Sequence, residues 1–83
     1  MEKKMNEDQM MEKIHTCFST VFSEEFKFSK ELSRENFSDW DSMHHITLLV
    51  EIEKTFGFRF DGATAAVLTS VDNILTEIKT RLS

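Results

Sequence analysis

The sequence predicts an all-α fold: a small four-helix bundle with a long first loop and a short third helix. Three observations carry that prediction. Apolar residues recur at three- and four-residue steps in separate stretches, the spacing of amphipathic helices. The chain has no Pro and only two Gly, Gly57 and Gly62, too few for a turn-rich barrel or a flexible linker protein. Its 83 residues, 40% of them hydrophobic, supply one core and therefore one domain.

Taken in order, the opening MEKKMNEDQM is polar and mixed in charge. It predicts a frayed N-terminus over 1–7, with a single domain over 8–83. From about Asp8 to Phe22, Met11, Ile14, Phe18 and Val21/Phe22 form an apolar stripe, the mark of a first amphipathic helix. Cys17 sits beside Phe18 on that stripe and reads as a small core hydrophobe. Between Ser23 and Asp41 the apolar residues Phe26, Phe28, Leu32, Phe37 and Trp40 follow no period. So long a connection is expected to pack its aromatics down as a compact loop with a helical turn.

A second helix is predicted from about Ser42 to Phe56. Its expected apolar face is Met43, Ile46, Leu49, Val50, Ile52 and Phe56, and Gly57 stands where a left-handed cap is needed. Phe58-Arg59-Phe60 alternates like a short extended piece. Asp61 is placed to cap a short third helix reaching about Ala66. After Ser70 a last helix runs from Val71 to about Leu82, with Val71, Ile74, Leu75, Ile78 and Leu82 on one side. Phe18, Leu49, Phe56 and Ile74 are expected to meet in the core.

Charge and composition narrow the function classes. Fifteen acids against ten bases give a net charge of −5, which opposes nucleic-acid binding through phosphates. A single cysteine excludes an internal disulfide framework and fits a reducing compartment. No apolar run has the length of a membrane span, and the start lacks the character of a secretory signal. The expectation is a cytoplasmic monomer without a membrane span.

Few residues offer chemistry. His44 and His45 are adjacent, so on a helix they diverge by roughly 100° and cannot grip one metal ion; both read as solvent-facing. Ser42 and His45 lie three apart, close enough on a helix to touch. A Ser–His hydrolase also needs an orienting acid and an oxyanion hole, and predicts ester turnover by the purified protein. Asp41-Ser42 alone reads as a helix N-cap. Its context, followed by M-H-H-I-T-L-L-V-E-I-E-K-T-F, raises it above that.

In this context the chain resembles the acyl carrier proteins over nearly its whole length. Asp41-Ser42-Met43 is similar to that family's Asp-Ser-Leu attachment motif, with Met for Leu. Ile46, Leu49, Val50, Ile52, Glu53 and Phe56 resemble its second helix, and Leu68-Thr69-Ser70-Val71 the approach to its final one. Trp40-Asp41-Ser42 with Phe56-Gly57-Phe58-Arg59-Phe60 resembles a specialised bacterial branch of stand-alone carriers.

The resemblance implies that Ser42 carries 4′-phosphopantetheine, installed from coenzyme A by a phosphopantetheinyl transferase that brings its own Mg²⁺. It implies that Asp41 helps engage that transferase. The arm's thiol, not Cys17, would hold an acyl group as a thioester. The chain would be a non-catalytic carrier that meets acyl-loading and acyl-processing enzymes through Met43, His44, Thr47 and Glu51. Asp39-Trp40 replaces the family's Gly-Ala, and His44, His45 and Thr47 stand where housekeeping fatty-acid carriers have acids. These departures point to a specialised lipid, polyketide or other secondary-metabolite pathway. The alternatives are a peptidyl or aminoacyl carrier, and a helical interaction module that no longer takes the arm.

Overall fold

The computed structural model describes residues 5–22 and 26–82. Its first helix, α1 (Glu7–Val21), opens on a reciprocal cap. Asn6 Oδ1 accepts the Gln9 N–H at 2.8 Å, and Gln9 Oε1 accepts the Asn6 N–H at 3.0 Å. The helix thus begins one residue before the expected Asp8. Residues 1–4 of the expected loose start lie outside the described residues. Met10, Ile14, Cys17 and Phe18 turn inward from α1, so the stripe includes Met10 and Cys17, while Met11 is half-buried.

The other helices fall close to the expected bounds: α2 (Ser42–Phe56), α3 (Gly62–Val67) and α4 (Val71–Leu82). Gly57 ends α2 with φ +83°, the left-handed cap for which glycine is suited. Asp61 Oδ1 accepts the Thr64 N–H at 2.7 Å and so starts α3. Ser70 Oγ accepts the Asn73 N–H at 3.1 Å at the start of α4. Val71, Ile74, Leu75 and Ile78 are buried on α4, with Leu82 half-buried. Phe58-Arg59-Phe60 pairs with no strand among the described residues. Its two phenylalanines instead lie under the Arg81 guanidinium, at 5.3 and 5.6 Å from the ring centroids.

The described part of the connection from α1 to α2 is held to the helices by aromatic packing, backbone hydrogen bonds and an ion pair. Its aromatics pack down as expected: Phe26, Phe28 and Phe37 lie against the core, and Leu32 and Trp40 belong to it. Trp40 meets Phe18 edge-on, with centroids 5.1 Å apart. An isolated antiparallel bridge, Ser33 to Ser70, staples this segment to the start of α4. Beside it, Arg34 N–H donates to Thr69 O, and Val71 N–H to Leu32 O, both at 2.9 Å. Glu7 adds an ionic tie, reaching Lys30 and Lys79 at 2.7 Å each.

The face of α2 corrects the expectation. His45, Leu48, Leu49 and Ile52 point inward, while Met43, Ile46 and Val50 are exposed at 78%, 66% and 43%. Phe56 is half-buried at the edge of the core rather than central to it. Apolar residues occur on both sides of α2, so a 3.6-residue period fits either side. Leu48, Leu49 and Ile52 cover a continuous arc toward α1. Met43, Ile46 and Val50 lie on the opposite side.

Candidate functional site

Ser42 is the first residue of α2 and is exposed. Asp41 precedes it with extended backbone, and its Oδ1 accepts the His44 N–H at 3.0 Å. The same oxygen meets His44 Nδ1 at 2.8 Å, where the ring nitrogen donates. These bonds, the backbone one first, favour the carboxylate and hold Asp41 below the usual range. His44 is further fixed by stacking on Phe22, with centroids 5.3 Å apart.

One position further on, His45 is buried, which overturns its reading as a solvent-facing histidine. Trp40 Nε1 lies 2.9 Å from His45 Nδ1, and His45 Nε2 lies 2.9 Å from Ala65 O. An indole N–H can only donate and a carbonyl can only accept. Nδ1 therefore accepts and Nε2 carries the proton that is donated to Ala65. An imidazole with both nitrogens bonded can be buried without an orphaned polar atom. The two bonds join the loop, α2 and α3.

This arrangement also separates Ser42 from His45. Both imidazole nitrogens are committed elsewhere, so the Ser–His contact that the spacing allows does not form. Ser42 Oγ instead lies 3.4 Å from Arg34 Nη2, and Arg34 Nε donates to Trp40 O at 3.2 Å. Arg34 reaches this position because the Ser33–Ser70 bridge and its own N–H to Thr69 O fix its backbone. Among the described residues Arg34 forms no ion pair. Sequence reasoning missed Arg34 because eight residues and a turn separate it from Ser42. The signal available for His45 was Trp40, whose indole N–H needs an acceptor once buried.

The residues expected to meet partners divide along α2. Met43 and Thr47 share the exposed side with Ile46 and Val50; Thr47 Oγ1 donates to Met43 O at 3.2 Å. His44 is exposed but tied to Asp41. Glu51 is half-buried, about 80° round the helix from Met43, and its carboxylate lies 3.7 Å from Lys54 Nζ. Cys17 is buried 3.3 Å from Thr55 Oγ1, and burial pushes its thiol up from the ordinary range. Among the described residues no group of three or more His, Cys, Asp or Glu side chains could hold a metal ion. No described helix is long and apolar enough to cross a membrane.

The chain matches no known protein family, no curated protein and no solved structure.

Proposed function

We propose that this chain is an acyl carrier that accepts 4′-phosphopantetheine on Ser42 and presents acyl thioesters to partner enzymes. One observation carries the reading: an exposed serine hydroxyl opens α2 directly after a capping aspartate. The resemblance of Asp41-Ser42-Met43 and its flanks to the carrier family adds to it. The residues fit the group. The hydroxyl is open to solvent, a guanidinium lies beside it, and helix N-termini suit phosphate charge.

In the loading step Ser42 Oγ attacks the phosphorus of coenzyme A that bears the pantetheine. The new O–P bond replaces the pyrophosphate bond, and 3′-phosphoadenosine 5′-phosphate leaves. The hydroxyl proton passes to a base on the transferase. When bound, the arm supplies a thiol for thioester exchange. This chain's residues present the hydroxyl (Ser42), cap and orient the turn (Asp41) and offer Met43, Ile46, Thr47 and Val50 for docking. Buried Cys17 is shielded from acyl transfer. The missing acids on α2 favour a specialised lipid, polyketide or secondary-metabolite pathway over housekeeping synthesis.

The exposed apolar side of α2 also serves a second reading, an interaction module that takes no arm. Intact-mass analysis separates the two. Incubation with coenzyme A and a broad-specificity phosphopantetheinyl transferase adds one arm to the wild type and none to Ser42→Ala. Asp41→Ala is modified more slowly, because the cap and the oriented turn are lost together. No mass gain in the wild type, or an equal gain in Ser42→Ala, overturns the carrier reading.

A further inference from the structure

We infer that Arg34 is the residue of this chain that holds the phosphodiester once an arm is attached to Ser42, an inference that rests on the carrier reading. Three features single it out. Its Nη2 is the group that reaches Ser42 Oγ, at 3.4 Å, across a turn of the loop. Its Nε is spent on Trp40 O at 3.2 Å, so the planar guanidinium is held in orientation rather than swinging freely. Among the described residues no carboxylate lies within ion-pair distance of it.

A guanidinium with spare N–H groups in a fixed plane is suited to phosphate oxygens. The phosphorus of the arm is bonded to Ser42 Oγ, one bond from the atom that Arg34 already approaches. Its unbridged oxygens carry the negative charge that a guanidinium binds. The contact is built by tertiary structure: the Ser33–Ser70 bridge and the Arg34 N–H on Thr69 O aim the side chain from the loop, independently of α2. Asp41 cannot share this role, since its carboxylate repels the phosphodiester and is engaged with His44. Arg34 thus restrains the root of the arm while the thiol end stays free.

The test is phosphorus and side-chain nitrogen NMR on the full chain before and after loading. In the wild type the Arg34 Nε–H signal moves on conversion to the loaded form, beyond the change at Arg59 and Arg81. The phosphorus signal of loaded Arg34→Gln differs from that of the wild type, and Arg34→Lys restores part of the difference by keeping the charge without the fork. If the arm attaches but the Arg34 signal stays still and the phosphorus signals of wild type and Arg34→Gln coincide, the inference falls while the carrier reading stands. If the wild type takes no arm, the carrier reading falls and the inference with it. Should Arg34→Gln fail to fold, the wild-type Arg34 signal alone decides.

Discussion

Trp40 donates its indole N–H to His45 Nδ1 at 2.9 Å, and both side chains are buried. The bond ties the residue two before Ser42 to the residue three after it, and His45 continues the chain to Ala65 O. The turn that presents Ser42 is therefore braced from beneath. This brace from within acts alongside the exposed Asp41 cap.

Breaking that brace strands a buried donor. His45→Phe leaves the Trp40 N–H without its acceptor and is expected to cost about 1–3 kcal/mol, the usual penalty for such a group. Trp40→Phe in the same background recovers part of the loss because no donor remains. Urea melts of the two single variants and the double variant give the coupling, expected at about 0.5–3 kcal/mol. Strict additivity counts against the brace.

The orientation of α2 makes a paired prediction. Leu48→Ala empties a fully buried site and is expected to cost about 2–5 kcal/mol. Ile46→Gln, at a position 66% exposed, stays within about 0.5 kcal/mol of the wild type. Phe56→Ala falls between them because Phe56 is half-buried. Thermal melts that rank Ile46 above Leu48 show α2 turned the other way.

Acid should loosen the tie between α1, the loop and α4. Hydrogen bonds from Lys30 and then Lys79 lower the Glu7 pKa from 4.5 to about 2. A carboxylate with a depressed folded pKa stabilises above its unfolded value and loses that contribution as pH falls through the folded one. Glu7→Gln is then less stable than the wild type at neutral pH, and the gap closes between about 4.5 and 2. The charges are exposed, so added salt narrows the gap at neutral pH as well. Urea midpoints across pH and salt read both effects. A gap that does not change with pH excludes the tie.

Partner choice follows from the charges that α2 lacks. On the carrier reading, a malonyl transferase adapted to a densely acidic helix loads this protein slowly, since contacts are absent rather than screened. His44→Asp with Thr47→Glu restores acids on the exposed side and is expected to raise the loading rate. Loading of the wild type as fast as a housekeeping carrier removes the argument for a specialised pathway.

Much of the fold was legible in the sequence because its determinants are local. Among the described residues Gly57 is the one with positive φ, Asp61 and Ser70 sit directly before the helices they start, and the α4 stripe has a single apolar side. Asp41 and Ser42 were legible for the same reason, being neighbours at a helix start. The inward side of α2 was legible only in part: Leu49 and Ile52 are buried as expected, whereas Met43, Ile46 and Val50 are exposed. Its apolar residues lie on opposite sides, and only packing against α1 selects Leu48, Leu49 and Ile52 over Met43, Ile46 and Val50. His45 is buried because Trp40 and Ala65, from other segments, satisfy its nitrogens. Arg34 reaches Ser42 because a bridge to Ser70 folds the loop back across the bundle. Periodicity and caps are properties of adjacent residues, so sequence determines them. Which face is buried and which cation meets which hydroxyl depend on distant partners, and only tertiary structure decides them.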